Sequence, residues 1–510
     1  MIYLTIGLLL IASMLAMLDW RRGLALCVLV GVAQDPLRKL TAGQPLYYVV
    51  LVGVVFGAAW IRAYTRGVQL SPLAIYGWRK QLKRPFYALV ILVAAQAMHS
   101  LLTYRSITVT GIGLLVWLAP APAVVLAYQF AMRRGLAGVH RWMRIYITLA
   151  LLSLSGVYLQ YAGLQWPVLG EVGAGLVIYD VGTVLKAYSG FYRSSEIAAW
   201  HTAAIACFIF ILSVGKRATL ARVAAALALI TLLAGLGLLT GRRKMLVEIT
   251  VFLSIYFFLT SWLQRGAAKL AVSLLLGGAL GYVAIVGFIS PDLTQRPGRT
   301  TELSTENAQR IRGYAERGQT VFAEVPTRIN ALGVQPVLWA VQMHGWLGAG
   351  LGTGSQGAQD IAELHTLSRG ASEGGLGKIT MELGVPGLFI VVWMLYALGK
   401  HVARQLAVLT RLSPQHARMS YGLVAFLLAN AATFAVATQA YSDLFALLML
   451  GWTLGFLLAM PALAARGDGR KQGFSETMPA TTMPMPMPMH LAPDSGPHGF
   501  GPLAPQPVAR

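Results

Sequence analysis

Charged residues are scarce in this chain. Only 12% of its 510 residues are Asp, Glu, Lys or Arg, whereas 56% are hydrophobic. A soluble domain carries roughly 25% charged residues. Half of that fraction leaves too little polar surface to cover a water-soluble globule, so the composition excludes a soluble globular fold.

Acidic residues are the scarcest of the charged types. The sequence has 19 Asp and Glu against 41 Lys and Arg, which gives a formal net charge of +22. Such an excess could indicate binding to nucleic acid, but the basic residues lie in short loops between apolar blocks. In that position they are signals of membrane topology. We therefore expect no nucleic-acid partner.

Cysteine is nearly absent as well. Cys27 and Cys207 lie far apart, each within an apolar segment, so a disulfide is not expected. The sequence also lacks the HExxH, CxxC and DxD spacings that hold metals. We expect neither a metal nor another cofactor.

What the sequence has in abundance is long apolar blocks. They run for about 17 to 24 residues, enough to cross a hydrocarbon core of ~30 Å. They are continuous, without the alternation of barrel strands, and in lipid only helices and closed barrels satisfy the backbone. The prediction is an all-α polytopic bundle of about 12 to 13 transmembrane helices. The predicted helices are 2–18, 22–37, 46–61, 86–104, 107–130, 145–163, 197–214, 218–240, 246–263, 268–289, 384–400, 421–440 and 443–463.

Two of these helices need comment. The segment 22–37 is weak because Gln34, Asp35 and Pro36 interrupt it. The segment 2–18 has no basic residues before it and no small-residue cleavage site, so it is interpreted as a retained helix and not as a removable signal.

The spacing of the blocks divides the chain into four parts. Residues 1–289 hold the first ten helices, 290–383 form one large loop, 384–465 hold the last helices, and 466–510 form a tail. About 95 residues is too long for a plain connector, so the loop is expected to carry function. The tail alternates Met and Pro over 483–489 and cannot bury a core, which predicts disorder.

The distribution of Lys and Arg predicts the orientation of the helices. Short basic loops are expected in the cytoplasm, together with the tail. The alternate loops, including the large one, are then periplasmic. The basic set is 21–22, 62–84, 133–144, 216–222, 265–269 and 400–418, and the alternate set is 35–45, 164–196, 241–245 and 290–384.

Several basic residues nevertheless fall on the predicted periplasmic side. Arg193 precedes a helix, a tight turn between two helices carries three basic residues in a row, and Arg328 lies in the large loop. Guanidinium groups donate two parallel N–H bonds to phosphate or carboxylate, so convergent arginines suit a lipid diphosphate. The alternative interpretation is solvated loop charge or interfacial anchoring. The turn residues are Arg242, Arg243 and Lys244.

A Gly-rich segment, WLGAGLGTGSQG at 346–357, follows in the large loop. No strand–turn–helix unit surrounds it, which argues against a dinucleotide site. We interpret it as a flexible turn that lets backbone approach a ligand.

Two residues beyond that turn are candidate general bases. Glu373 and His365 could each accept a proton from a substrate hydroxyl. The alternatives are a carboxylate that stabilises a helix N-terminus, for Glu373, and an exposed loop histidine, for His365. Glu382 is expected to brace the helix that follows.

These residues resemble the O-antigen ligase and polymerase family of bacterial inner-membrane proteins, over roughly residues 190–398. The shared features are Thr-Gly-Arg-Arg-Lys at 240–244, Arg328 ahead of the Gly-rich turn, and Glu-Leu-Gly-Val-Pro-Gly at 382–387. The segment Asp-Pro-Leu-Arg-Lys-Leu at 35–40 is similar to exopolysaccharide-type relatives. Glu373 stands where the family has a histidine, which favours the exopolysaccharide polymerase-like branch.

The resemblance implies a GT-C-like fold and a metal-independent glycosyltransferase of the bacterial inner membrane. A glycan repeat unit would leave a polyprenyl diphosphate carrier on the periplasmic face and join an acceptor hydroxyl. The implied partners are that lipid-linked oligosaccharide, membrane lipids and other polysaccharide-assembly proteins. The implied catalytic residues are Glu373, His365 and Arg328. The implied diphosphate ligands are Arg193, Arg242, Arg243, Lys244 and Arg328.

Other functions stay open at this point. Within the same chemistry they are O-antigen ligation and protein O-oligosaccharide transfer. A polysaccharide transporter or flippase is the rival from another class, although no internal repeat and few charges within helices are present. A non-catalytic assembly scaffold would fit the loss of the family's histidine.

Overall fold

A computed structural model describes residues 1–75, 78–170, 172, 177–180, 183–215, 219–242, 244–263, 329–355 and 374–471. Over these residues the chain is a helical bundle, and the predicted all-α fold class is confirmed. Helices dominate because the backbone of an apolar chain must satisfy its hydrogen bonds internally. The helices are α1 Ile2–Leu18, α2 Trp20–Lys39, α3 Leu51–Thr65, α4 Trp78–Gln81, α5 Lys83–Tyr104, α6 Ile107–Leu118, α7 Pro120–Tyr161, α8 Ser195–Gly215, α9 Leu220–Leu238, α10 Lys244–Leu263, α11 Gln335–His344, α12 Gly375–Leu412, α13 Pro414–Val436 and α14 Leu444–Lys471.

Short elements connect these helices. One antiparallel hairpin pairs β1, Val177–Asp180, with β2, Thr183–Lys186. A π-helical turn, Ile329–Val334, leads into α11. The described residues also form four 3₁₀ turns, at Leu46–Val50, Pro72–Ala74, Pro167–Leu169 and Gln439–Ser442.

The described part of the chain holds nine helical segments long and apolar enough to cross a membrane. By length and composition, these segments support a multi-pass membrane fold. The helix predicted at 268–289 and most of the large loop lie outside the described residues, so the total of 12 to 13 stays a prediction. The nine segments are Tyr47–Thr65, Lys83–Tyr104, Ile107–Tyr161, Ser195–Val214, Ala221–Leu238, Lys244–Leu263, Gly375–Leu412, Pro414–Val436 and Leu444–Arg466.

The basic loop predicted at 133–144 is wrong. That stretch is helical, and α7 runs through it from Pro120 to Tyr161 with a break at Gly135, where φ is 66°. A straight helix of 42 residues would be about 63 Å long, twice the hydrocarbon thickness. The glycine supplies the conformation at which the chain changes direction, so no separate loop is needed.

Two other predicted boundaries are also wrong. The basic stretch predicted as a loop at 400–418 is almost entirely helical, because α12 and α13 are separated only by Ser413. The interruption expected at Pro36 does not end α2, which continues to Lys39. Charged residues at the ends of membrane helices remain helical because their side chains can extend to the polar boundary.

The core of the bundle centres on α8. Buried residues make up 83% of its apolar window, against 28% for the window in α5. It packs against α7, α9, α10 and α13. Trp142 and Trp452 meet edge to face beside it, at a centroid distance of 5.5 Å. The first residues of α8 therefore lie in the middle of one end of the bundle.

Contacts between loops define two ends of the bundle. At one end, Asp19 lies 3.8 Å from Arg134, and Arg466 donates a 2.9 Å hydrogen bond to the carbonyl two residues before Arg134. At the other end, Lys39 donates a 2.6 Å hydrogen bond to the Gly190 carbonyl. These groupings agree with the alternation of basic and less basic loops in the sequence. The compartment that each end faces stays a prediction.

Candidate functional site

The loop before α8 is held rigidly in place. The side-chain oxygen of Gln160 accepts hydrogen bonds from the backbone N–H groups of Ser189 and Gly190, at 3.1 and 2.8 Å. Gly190 has a φ of 57°, and a Cβ there would lie 2.3 Å from the backbone nitrogen of Val157. Only glycine fits this conformation and this contact. The loop thus presents the next residues, including Arg193, in a fixed position.

Arg193 lies between two carboxylates. Its Nη1 is 3.1 Å from Asp35 and also forms an ion pair with Asp443, while its backbone N–H donates to Asp35 at 3.2 Å. The side chain of Arg193 is 14% exposed and each carboxylate is 4% exposed. Burial by itself lowers the pKa of Arg193, but Asp443 and Asp35 outweigh it and hold that pKa above its ordinary value. The guanidinium is permanently charged.

The tight turn between α9 and α10 supplies the second half of the site. Gly241 has a φ of 68°, which lets the chain reverse direction. Arg242 forms a 2.9 Å ion pair with Glu196 and donates a 3.2 Å hydrogen bond to the Ser195 hydroxyl. Lys244 lies 3.7 Å from the other oxygen of Glu196. Arg242 and Lys244 are therefore tied to the first turn of α8.

These six side chains form what we call the arginine–carboxylate cluster. Three are basic and three are acidic, so the cluster as a whole is close to neutral. A diphosphate that binds here must share or replace carboxylates that already hold the cations. A guanidinium has five N–H donors, so one carboxylate partner does not use up its capacity. The cluster consists of Asp35, Arg193, Glu196, Arg242, Lys244 and Asp443.

One short segment joins this cluster to the C-terminal half of the bundle. The 3₁₀ turn Gln439–Ser442 and the residue after it contact three basic side chains. Gln439 accepts a hydrogen bond from Lys244, and Ser442 accepts one from Lys378 at 3.2 Å. Asp443 pairs with Arg193. This segment thus connects residues from the loop before α8, from α10 and from α12.

Glu382 holds the Gly-rich turn and α6, whereas it was expected to brace the helix that follows it. One of its oxygens accepts the N–H of Gly354 at 3.0 Å, and the other accepts the indole N–H of Trp117 at 2.6 Å. A Cβ on Gly348 would lie 2.6 Å from the Met381 carbonyl, and a Cβ on Gly352 would meet the backbone of α6. In the described stretch 346–355 the glycines allow close packing on neighbouring helices. These contacts give the Gly-rich turn a packing role. That role is an alternative to the interpretation that its backbone approaches a ligand.

Four predicted site residues lie outside the described residues. The residues that directly follow Arg328 and Glu373 are described. The Leu332 carbonyl lies so close to Gly374 that a Cβ there would be 1.7 Å from its oxygen. The segments that follow Arg328 and Glu373 in sequence therefore meet. The four are Arg243, Arg328, His365 and Glu373.

A second polar group, not anticipated from the sequence, lies beside the cluster. Glu248, 1% exposed, accepts a 2.9 Å hydrogen bond from Asn430. The oxygen of Asn430 accepts from Trp200 at 2.8 Å and from Tyr441 at 3.1 Å. A cavity with room for about one water molecule separates this group from Arg242.

The pairing of these cations with carboxylates was not predicted from the sequence. Asp35, Glu196 and Asp443 carry the signal that could have revealed it, because acidic residues at the ends of apolar helices are costly unless paired. The diphosphate ligands that the resemblance implies are all basic residues.

No three His, Cys, Asp or Glu side chains come together as metal ligands would, among the residues that the structure describes. The ionisable side chains described at this end carry guanidinium, ammonium and carboxylate groups.

Compared with protein-family models and with curated proteins, the sequence gives no match. Inference of its function therefore rests on the side chains of the site and on the resemblance described above.

Proposed function

We propose that this chain transfers or polymerises polyprenyl-diphosphate-linked glycan repeat units on the periplasmic face of a bacterial inner membrane. It would belong with the O-antigen polymerase-like glycosyltransferases of exopolysaccharide assembly. The resemblance over residues 190–398 supports the reaction class, and the multi-pass helical fold is compatible with a lipid-linked donor.

The observation that carries the proposal is the convergence at Gln439–Ser442 and Asp443. The residues that support the resemblance come from two distant stretches, one ending at Lys244 and one around Glu382. Lys244, Arg193 and Lys378 all contact this short segment. Two stretches with separate sequence signals thus meet at one end of the bundle.

The chemistry follows from charge. The acceptor oxygen attacks the anomeric carbon of the donor sugar, and the bond from that carbon to the diphosphate oxygen breaks with its electron pair going to the diphosphate. The hydroxyl proton passes to a base. Arginines that face the departing diphosphate stabilise the charge it gains. Arg242 is 17% exposed and is anchored through Nε and Nη1, which fixes its guanidinium beside the first turn of α8.

The test is transfer by the purified full chain in liposomes. With a polyprenyl-diphosphate oligosaccharide as donor, we expect longer glycan and free polyprenyl diphosphate, at a rate that a metal chelator does not change. Arg328→Ala, Arg328→Lys and Arg242→Lys should each lower the rate on the order of 10²-fold, since a lysine lacks the bidentate fork. Arg411→Lys, an exposed arginine at the opposite end of the bundle, is the matched control.

The same assay separates the two candidate bases. If Glu373 orients the acceptor, Glu373→Gln keeps partial activity because an amide oxygen still accepts, and Glu373→Ala loses nearly all of it. If His365 is the base, His365→Ala is the inactive variant and Glu373→Ala is near normal. Absence of glycan transfer by the wild-type chain, with donor and acceptor both present, would refute the proposal in favour of a scaffold or transporter.

A further inference from the structure

A groove runs along the side of the bundle at the end opposite the arginine–carboxylate cluster. It lies between α1, α2 and α7 and has a volume of about 790 Å³. One part of its lining is basic and the other is apolar. The residues that matter are Arg22, Arg141, Arg144, Leu26, Leu29 and Leu149.

The two main walls of the groove run in the same direction. α2 begins beside Asp19, which lies 3.8 Å from Arg134 just before the break in α7. Both helices finish at the other end of the bundle, where the end of α2 and the end of α7 hold the same loop through Lys39 and Gln160. Each wall therefore starts with arginine and becomes apolar toward the middle of the bundle.

The two walls are similar in length. From Arg22 to Leu29 the rise along α2 is about 10 Å, and from Arg141 to Leu149 along α7 it is about 12 Å. Arg141 and Arg144 are three residues apart and so lie on one face of α7. The groove thus has a cationic mouth and an apolar slot of about one helical turn or more behind it.

The arginines at the mouth are poorly compensated. Arg22 is 83% exposed and lies 3.9 Å from Asp19, whose carboxylate also holds Arg21 at 3.2 Å. Arg144 donates a 3.4 Å hydrogen bond to a carbonyl of its own helix, that of His140. Within the described ranges no carboxylate lies within 4.0 Å of Arg141 or Arg144. This contrasts with the near-neutral cluster at the other end.

We propose that this groove binds an anionic phospholipid. Its phosphate lies at Arg22, Arg141 and Arg144, and the start of one acyl chain fills the slot along Leu26 and Leu29. Charge complementarity selects the anionic headgroup, since a zwitterionic lipid carries a compensating cation next to its phosphate. The volume fits a headgroup and the adjoining part of a chain, so the remainder of the lipid stays in the bilayer. This site is separate from the proposed glycan chemistry.

The test is native mass spectrometry of the purified full chain, titrated with phosphatidylglycerol or with phosphatidylcholine of the same acyl chains. We expect one tightly held phosphatidylglycerol per chain and weaker binding of phosphatidylcholine. The double variant Arg141→Gln/Arg144→Gln should lower the affinity for phosphatidylglycerol on the order of tenfold. Arg404→Gln/Arg411→Gln, exposed arginines on α12, should bind as the wild type does.

A second variant tests the apolar slot. Leu29 is 46% exposed, so Leu29→Trp can fill the groove without disturbing the core. It should reduce lipid retention with all arginines intact. Equal binding of the two lipids by the wild type, wild-type affinity in the Arg141/Arg144 double variant, or displacement of the lipid by millimolar inorganic phosphate would each overturn the proposal.

Discussion

Arg193 shows how a buried cation is maintained near a membrane boundary. Its charge would be expensive to bury alone, and two carboxylates from distant parts of the chain offset that cost. Such an arrangement positions the guanidinium without exposing it. In the proposed reaction, a phosphate that reached Arg193 would exchange one anion for another, which would keep the electrostatic cost of binding and release small.

The dependence of Arg193 on its partners can be measured through stability. Asp443→Asn should lower the free energy of unfolding by about 2 kcal/mol, because a buried charged donor loses its strongest acceptor. Asparagine can still cap α14 as Asp443 does through the Ala446 N–H, so the substitution isolates the charge. Thermal unfolding of the purified protein in detergent provides the readout.

Asp19→Asn is the matched control for this substitution. Asp19 also caps a helix and also pairs with arginine, but its side chain is 24% exposed. Exposed pairs contribute about 0–1 kcal/mol, so a small change is expected. Equal losses in Asp443→Asn and Asp19→Asn would mean that burial of the cluster does not matter for stability.

Sequence reasoning at this scale identified cations but not their anions. Arg193, Arg242 and Lys244 stood out because arginine on the predicted periplasmic side is unusual. Asp35 was noted as an interruption of a helix and as part of the segment 35–40, but not as a counter-ion, and Asp443 was not noted at all. Their role depends on contacts between residues 158 positions apart or more, which local patterns do not encode.

At the scale of elements, glycine sets the course of α12. Gly384 has a φ of 71° within this helix, and a Cβ there would lie 2.5 Å from the Trp346 carbonyl and 2.7 Å from that of Leu347. The helix thereby divides into a short segment under the Gly-rich turn and a longer one that continues through the bundle. The two segments keep the turn and Glu382 in contact.

Gly384→Ala should therefore destabilise the protein by more than the 1–2 kcal/mol or so that a left-handed conformation costs an L-residue. Displacement of the Gly-rich turn should accompany the loss, visible as faster protease cleavage within 346–355. Gly399→Ala is the control on the same helix, since nothing lies within 4 Å of its Cβ position. A Gly384→Ala protein as stable and as protease-resistant as Gly399→Ala would contradict this account.

The elements themselves were largely predictable from apolar runs, but their ends were not. A basic stretch such as 133–144 was expected to be a loop, yet α7 continues through it. Hydrophobicity locates the part of a helix that lies in lipid, and the helix extends further wherever backbone hydrogen bonds and long basic side chains permit. Single glycines such as Gly135 then take the place of the expected loops.

At the scale of the whole molecule, the alternation of basic and less basic loops predicts which loops lie at the same end of the bundle. The contacts between loops agree with that prediction. Asp19 and Arg134 meet at one end, and Lys39 and Gly190 at the other. The charge of the loops thus indicates which loops share a side. Which helices pack against each other could not be predicted, because no comparable pattern in the sequence indicates it.

Thiol labelling of intact cells checks the orientation. A membrane-impermeant reagent that reaches the periplasm should modify Tyr47→Cys and Trp346→Cys, whose side chains are 55% and 70% exposed in the wild type. It should leave Arg66→Cys unmodified. The native thiols, Cys27 and Cys207, are 0% exposed and give no background. The reverse labelling pattern would place the cluster in the cytoplasm.

The pairing of Arg193 with Asp35 and Asp443 has a consequence for biosynthesis. Asp35 is made early, Arg193 midway, and Asp443 just before the last described helix. A nascent chain that has inserted α8 but not yet α14 holds a guanidinium with only one of its two counter-ions. Completion of the ion pairs therefore coincides with synthesis of the segment that directly precedes α14.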